Sequence, residues 1–229
     1  MRDADPDSAG SRQASADALL GEHPLLGLAP VAREMVAAAT RVILRDGYAG
    51  LTLRTAAAEA GVYADSIRYY FGGKKGLVEA VALSLSHDLG LTALESIQAV
   101  ADEDARLRSM TQVSRTIAED QDSYRVYWEI LPHILSDPEW TGREADDYEW
   151  YRRLYARLSP REPEGFQGLP DPERARNLAS LLIAVGDGLA LQKSLDPERV
   201  DLDAIYALWG EIVLPALLDT FGSRSRATD

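Results

Sequence analysis

One stretch of the sequence, residues 52–77, restricts the fold of this chain more than any other. It opens with Thr52, a residue type that caps helix N-termini well, and an alanine-rich helical run follows. Gly61 supplies the left-handed backbone position that ends such a helix. A second short helix is predicted from about Ala64 to Tyr70. Two short helices around a glycine-bearing tight turn predict a helix-turn-helix, the motif whose second helix enters the major groove of DNA.

The second helix of this motif has one face that must be core and another that suits DNA. Ile67 and Phe71 belong to the core face, which leaves Ser66, Arg68 and Tyr69 projecting outwards. Arg68 is the predicted base reader, because its forked guanidinium can bond two acceptors of a guanine. The alternative for each outward residue is an ordinary exposed position on a helix.

Residues on both sides of this helix are expected to contact the DNA backbone. Tyrosine hydroxyls can donate to phosphates, and Thr52 and Arg54 open the preceding helix. Lys74 lies beside the first backbone amides of the next helix, a position that suits a phosphate. The residues predicted to contact DNA are Thr52, Arg54, Tyr63, Ala64, Ser66, Arg68, Tyr69, Tyr70 and Lys74.

Residues at several fixed spacings give this region a family likeness. They are Gly47 and Tyr48, Thr52 and Leu53, the segment 57–62, the segment 67–71, and Lys74 and Leu77. With these residues the stretch resembles the DNA-binding domain of the TetR family of bacterial transcriptional regulators. The resemblance implies an all-α chain: an N-terminal three-helix DNA-binding domain, followed by a helical ligand-binding and dimerisation domain.

Two positions depart from the family pattern. Tyr63 stands where the family usually has serine, and Asp65 stands where it has glycine or another small residue. A tyrosine cannot cap the recognition helix as serine does. An anionic side chain should repel phosphates, unless it caps the helix or accepts from a cytosine amine. These departures are expected to affect the operator sequence and to leave the fold intact.

The charge of the chain is divided unevenly. The net charge is −13, yet residues 31–80 hold seven Lys and Arg against five Asp and Glu. The positive segment is the one with the helix-turn-helix, which would orient the protein on a polyanion. The chain has no cysteine, so disulfides and thiol chemistry are excluded. No signal peptide or membrane span is expected, which favours the cytoplasm.

The apolar pattern is helical throughout, and it predicts four regions. Residues 1–30 are expected to be a disordered arm, 31–76 the DNA-binding domain, 77–221 the effector-binding and dimerisation domain, and 222–229 a disordered tail. Helices are predicted near 31–46, 74–99, 103–119, 122–136, 138–158, 171–194 and 201–221, besides the two short ones. Gly90 is expected to split or bend the helix that contains it.

The last two predicted helices are too apolar to be buried on one face alone. In the TetR family the corresponding pair builds a four-helix bundle across a two-fold axis, so the resemblance implies a homodimer. The predicted interface residues are Leu182, Val185, Leu189, Ile205, Trp209 and Ile212. The alternative is that both helices are internal to a monomer. Pro215 is expected to kink the last helix or to shorten its final turns.

The C-terminal region also contains segments of a more specific likeness. Residues 187–192 and 195–200, with Tyr127-Trp128 and Asp137-Pro138, resemble the branch of the family that includes the betaine-biosynthesis repressors. The family binds effectors among its middle helices, which here are rich in aromatic residues. The residues predicted to line such a pocket are Trp128, His133 and Tyr151. Aromatic residues at helical spacing are also common in cores, and a cationic ligand is one option for the pocket.

The sequence favours a regulator over an enzyme. The consecutive residues Ser86-His87-Asp88 cannot face one another on a helix, and no P-loop or zinc-protease motif is present. No catalytic residue, cofactor or metal site is expected. The expected function is a ligand-responsive repressor that binds a palindromic DNA operator as a homodimer. The alternative is a helical small-molecule carrier or adaptor with a degenerate DNA-binding head, suggested by Tyr63 and Asp65.

Overall fold

The computed structural model describes residues 27–98, 100, 102–157 and 165–222. These residues form nine α-helices and one short 3-10 helix, which confirms the predicted all-α class. The α-helices are α1 Pro30–Gly50, α2 Leu53–Ala60, α3 Ala64–Phe71, α4 Lys74–Gln98, α5 Glu103–Glu119, α6 Gln121–Ser136, α7 Pro138–Arg157, α8 Pro172–Leu195 and α9 Leu202–Phe221. The 3-10 helix is Gly165–Gly168. Most of the predicted arm and tail lies outside the described residues.

The described residues group into two compact units, each built from separate stretches of the chain. The head unit takes in residues up to 88 together with 121–147, and the body unit takes in 89–120 together with the residues from 148 onwards. The division therefore falls within α4 and again within α7. The predicted domain boundary at residue 77 stays a prediction.

The head unit is organised around α1. Five of its apolar residues recur at helical spacing and are buried: Met35, Val36, Ala39, Val42 and Ile43. They pack with apolar residues of α2, α3, α4 and α6 in one cluster. Regular helix geometry stops at Gly47, whose φ of 71° is a left-handed value that glycine adopts without strain.

The body unit has a core of its own, drawn from α5, α7, α8 and α9. Phe221, Leu217 and Leu182 are fully buried there, as is Leu107 of α5. Burying a side chain of this size stabilises a fold by about 1.5–3 kcal/mol. The cluster thus gives the C-terminal helices a packed interior within a single chain.

Three aspartates begin helices of the body unit. The side chains of Asp102, Asp171 and Asp201 accept hydrogen bonds from backbone N–H groups three residues later, at 2.7, 2.9 and 3.1 Å. Each cap satisfies an amide that the first turn leaves without a partner, and is worth about 1 kcal/mol. Aspartate side chains therefore fix the points at which α5, α8 and α9 begin.

Two helices continue where a split at Gly90 or an early end at Pro215 was expected, so these two options are wrong. Helix α4 runs through Gly90, where an added Cβ would lie 2.4 Å from a ring carbon of Trp150. This glycine is required by the close approach of a buried indole. Helix α9 continues through Pro215 to Phe221, so the proline does not shorten it.

Asp147 of α7 is a buried carboxyl group. The sequence suggests that Asp146 and Asp147 form a solvated acidic face, and Asp146 is exposed, but Asp147 is only 9% exposed. The suggestion is therefore wrong for Asp147. Burial raises the pKa of Asp147 to about 6; the hydrogen bond with Ser86 opposes this shift, and the charge of Asp146 adds to it.

Asp147→Asn is expected to change how stability depends on pH. The folded pKa of Asp147 lies above its unfolded value, so the folded state holds the extra proton and wild-type stability is lost as pH rises through about 6. At pH 7 the variant should be more stable than the wild type by on the order of 2 kcal/mol, and the gap should close by about pH 4. Urea unfolding at a series of pH values measures this difference.

The neighbouring exposed carboxylate provides the control. Asp146→Asn should change the free energy of unfolding little at any pH, because its charge is solvated in both states. A stability gap between Asp147→Asn and the wild type that is constant from pH 4 to pH 7 would show that folding does not raise the pKa of Asp147.

Candidate nucleic-acid interface

Helix α2 is fixed at its start by a reciprocal cap. The hydroxyl of Thr52 accepts from the backbone N–H of Thr55 at 3.1 Å, and the hydroxyl of Thr55 accepts from the N–H of Thr52 at 2.8 Å. The predicted cap at Thr52 is confirmed, and its partner is a threonine where glutamate or glutamine is usual. Ala56 and Ala57 of the same helix are buried, so α2 packs closely on its neighbours.

The turn between α2 and α3 depends on Gly61. Its φ of 68° and ψ of 30° are left-handed, as predicted, and the N–H of Val62 returns to the carbonyl of Ala57 at 2.9 Å. Helix α3 then begins at Ala64 after Tyr63, whose side chain makes no capping hydrogen bond. The turn sets the direction in which α3 leaves α2.

Helix α3 has one fully buried residue, and its outward face is exposed. Ile67 is fully buried, whereas Tyr63 and Tyr69 are 86% and 83% exposed. Arg68 and Tyr70 are also exposed. The rings of Tyr69 and Tyr70 meet edge to face, with centroids 5.1 Å apart. The face predicted to read DNA is therefore open.

The other residues predicted to contact DNA differ in their exposure and in their salt-bridge partners. Thr52 and Arg54 are exposed, and Ala64 and Ser66 are half-buried. Within the described part of the chain, Arg54 has no carboxylate partner, so its charge is available to a phosphate. Arg68 is paired instead: its Nη1 donates to the Oδ1 of Asp65 at 2.6 Å.

Lys74 is held by the protein itself. Its ammonium donates to the carbonyl of Tyr48 at 2.9 Å and lies 3.9 Å from the centre of the Tyr48 ring. Burial lowers the pKa of Lys74. The Tyr48 ring also stacks on His133 at 3.7 Å, and the Tyr48 N–H donates to Glu129 at 3.0 Å. A phosphate contact for Lys74 stays a prediction.

Sequence reasoning missed Gly76, which sets the spacing between α3 and α4. An added Cβ there would lie 2.0 Å from the carbonyl oxygen of Phe71, a distance that no side chain tolerates. Glycine is a poor helix former, so its presence in the first turn of α4 is the signal that could have pointed to this contact. The close approach fixes the end of the recognition helix against the start of α4.

Two family models match the chain. A model of the bacterial regulatory proteins of the tetR family matches residues 35–81, and a model of the C-terminal domain of BetI-type transcriptional repressors matches residues 99–215. The second match alone covers more than half of the chain.

The chain belongs to the TetR family.

Two individual relatives agree with this assignment. The HTH-type transcriptional regulator BetI 1 of Chromohalobacter salexigens is 31% identical over 190 residues, covering 79% of this chain and 87% of that protein. The BetI regulator of Burkholderia thailandensis is 31% identical over 199 residues, covering 83% and 95%. The chain is therefore a TetR-family transcriptional regulator of the BetI repressor type.

Solved structures share the fold. A transcriptional regulator from Saccharomonospora viridis in complex with choline has a TM-score of 0.61 at 20% identity, covering 80% of this chain and 94% of that one. The multidrug binding protein EbrR complexed with imidazole has a TM-score of 0.57 at 24% identity, covering 83% and 96%. At these identities the likeness is one of architecture.

The predicted dimer residues of this TetR-family protein do not all reach the surface. Leu182 is fully buried and Leu189 is 8% exposed, so both belong to the core of the chain itself and their assignment to an interface is corrected. Val185, Ile205 and Trp209 are half-buried. Ile212 is 61% exposed and remains a candidate.

A different set of apolar residues lies on the surface of α8 and α9. Its members are more than two-fifths exposed: Leu181, Leu191, Leu195, Leu208 and Ile212. Those of α8 recur at helical spacing with Ala184 and Gly188 between them, and an added Cβ at Gly188 would meet nothing within 4 Å. We call this set the exposed apolar stripe. By length and composition alone both helices could cross a membrane, a weak signal that many core helices share.

The three predicted effector residues lie in different places. Trp128 and His133 belong to the head unit and Tyr151 to the body unit. His133 stacks on Tyr48, as described above, and Tyr151 meets Trp150 edge to face at 5.2 Å. None of the three lines the groove of about 470 Å³ between α5 and α9, which contains Tyr206 and Gly210. Their assignment to a pocket stays a prediction.

Trp128 has the most aromatic surroundings of the three. Its ring lies 5.4 Å from that of Tyr124 and 5.5 Å from that of Tyr127, and its indole N–H is buried without an acceptor among the described residues. The hydroxyl of Tyr127 donates to Glu144 at 3.0 Å. Aromatic rings and a carboxylate thus meet on α6 and α7 within the head unit.

Proposed function

We propose that this protein is a homodimeric repressor that binds a palindromic DNA operator in the cytoplasm and is released by a small-molecule effector. The observation that supports it best is the open face of α3, with Ile67 buried and Arg68 and Tyr69 exposed. A helix anchored on one side in this way can enter a major groove without rotating. Membership of a family of transcriptional regulators makes DNA the natural partner.

The roles of the interface residues follow from their chemistry. Arg68 bonds two acceptors of a guanine, and the exposed hydroxyls of Tyr63 and Tyr69 donate to phosphates. Thr52 and Arg54, at the start of α2, meet the DNA backbone beside the groove. Phosphate contacts of this kind give affinity, and the contact of Arg68 gives sequence preference.

The exposed apolar stripe supports a homodimer. Leucines and an isoleucine that are two-fifths exposed or more are costly on the surface of a monomer, and they gain about 25 cal/mol for each Å² that a partner removes from water. A two-fold interface would use the same stripe on both copies. It would also hold two α3 helices for half-sites about 34–36 Å apart.

The effector is proposed to be a small organic cation of the quaternary ammonium class. The supports are the choline in the Saccharomonospora viridis structure and the aromatic cluster around Trp128 with Glu144 nearby. Aromatic faces and a carboxylate attract such a cation together. Its binding lowers operator affinity only to the extent that the cation prefers the conformation that does not bind DNA.

Selection of random duplexes by the purified protein tests the proposed function. The wild type should enrich a palindrome, and Arg68→Ala should relax one base pair in each half-site by about 1–3 kcal/mol. Arg125→Ala is the matched control, since Arg125 is also exposed and also follows an aspartate by three residues, but on α6. Failure of the wild type to enrich any palindrome would support a carrier or adaptor instead.

Ile212→Asp is expected to weaken or abolish the dimer, because it places a charge within the exposed apolar stripe. Leu135→Asp is the control, since Leu135 is 67% exposed on α6 and outside the stripe. Sedimentation velocity at micromolar concentration should give a monomer for the first variant and a dimer for the second. A dimer that persists in Ile212→Asp would place the interface elsewhere.

Choline is expected to raise the melting temperature of the protein, because a ligand bound by the folded state alone stabilises it. The uncharged isostere, in which carbon replaces the ammonium nitrogen, should have little effect, since it lacks the attraction to aromatic faces. Trp128→Leu should remove most of the shift that choline causes. Equal shifts with choline and with its isostere would contradict a site that selects a cation.

A further inference from the structure

The salt bridge between Asp65 and Arg68 is a specific feature of the recognition helix. The two residues are three positions apart, so their side chains are neighbours on the same face of α3. The Oδ1 of Asp65 accepts from the Nη1 of Arg68 at 2.6 Å, and both side chains are largely exposed, at 88% and 61%. The pair therefore lies on the surface that would meet DNA.

We propose that Asp65 is a positioning residue that holds Arg68 for base reading and limits its use on phosphates. This inference rests on the proposed function, because it requires that α3 enters a groove. The carboxylate engages only Nη1. It leaves the edge formed by Nε and Nη2 for the two acceptors of a guanine, which a guanidinium can bond side by side.

The salt bridge affects the binding energy by restricting the conformations of the Arg68 side chain before DNA binds. A free arginine has many rotamers, and fixing one of them on binding costs conformational entropy. Asp65 fixes the guanidinium in advance, so less of that entropy is lost when the base is read. An exposed ion pair of this kind is weak in water, and it strengthens when DNA displaces the water around it.

The pair also affects selectivity. Without Asp65, the Arg68 side chain could turn towards the nearest phosphate, a contact that every sequence offers. The carboxylate of Asp65 attracts the guanidinium and so opposes that turn. Its own negative charge also repels nearby phosphates. Asp65 thus lowers affinity for duplexes that lack the matching base pair and keeps Arg68 for that base pair, which is how specificity often arises.

A different role for Asp65 must be separated from this one. It lies in the first turn of α3, where a negative charge stabilises a helix, and Tyr63 supplies no side-chain cap there. If that were its only role, removing the charge would weaken α3 and reduce the binding of all duplexes together. Positioning of Arg68 predicts a different pattern, with specific and nonspecific binding moving in opposite directions.

The test is Asp65→Asn, with binding measured on three duplexes over a range of salt concentrations. The duplexes are the selected operator, the same operator changed at the base pair that Arg68→Ala relaxes, and an unrelated sequence. Discrimination at that base pair should fall at least about threefold, within the range of about 5- to 150-fold that a bidentate arginine contact supplies. Affinity for the unrelated duplex should rise, with its salt slope steeper by up to about one.

A double-mutant cycle shows whether Asp65 acts through Arg68. In the Arg68→Ala background, Asp65→Asn should leave discrimination at that base pair unchanged, because the group that it positions is gone. Asp65→Glu should restore most of the discrimination, since a glutamate can reach the same guanidinium. Asp122→Asn is the matched control, because Asp122 also pairs with an arginine three residues later, on α6.

Three results would overturn the inference while the proposed function stands. They are an unchanged discrimination in Asp65→Asn, a loss that persists in the Arg68→Ala background, and a joint fall in specific and nonspecific affinity with a lower melting temperature. If the wild type enriches no palindrome, the proposed function fails first, and the role of Asp65 fails with it.

Discussion

The burial of Ile67 is the interaction on which the DNA-reading surface depends. Ile67 has no exposed surface, and it can reach the core because Ala56 and Ala57 keep α2 narrow and Gly61 turns the chain sharply. On a helix of eight residues, one fully buried side chain sets the rotation of all the others. Arg68 and Tyr69 must therefore face outwards. The exposure of the charge and the hydroxyl needed for DNA binding thus follows from the packing of the opposite side of α3.

Contacts within the head unit connect this surface to α6. Gly76 lets α4 begin directly against the end of α3, and Lys74 at that start lies on the ring of Tyr48. Tyr48 in turn stacks on His133 and donates its N–H to Glu129, both on α6. The start of α4, the end of α1 and a helix with an aromatic cluster thus share one small set of contacts. Any ligand that shifts α6 would change the surroundings of the recognition helix through them.

The sequence predicted what local chemistry decides and failed where distant packing decides. Thr52 and Gly61 specify their cap and turn through their own backbone preferences, so the helix-turn-helix was predicted closely. The inward face of α8 could not be predicted, because apolar residues surround this helix on all sides. Leu182 is buried and Leu181 is exposed because of how α8 packs on α5 and α9. The predicted split at Gly90 and the predicted solvation of Asp147 are wrong for the same reason, since the roles of both residues depend on residues far away in sequence.

Hydrogen exchange of the backbone amides, with and without a bound duplex, tests the central claim most directly. Arg68 and Tyr69 are proposed to meet the groove while Ile67 stays in the core. Addition of a selected operator should therefore slow exchange in residues 52–71 and leave α5 unaffected. Equal exchange in residues 52–71 with and without DNA, or protection confined to the body unit, would contradict the account.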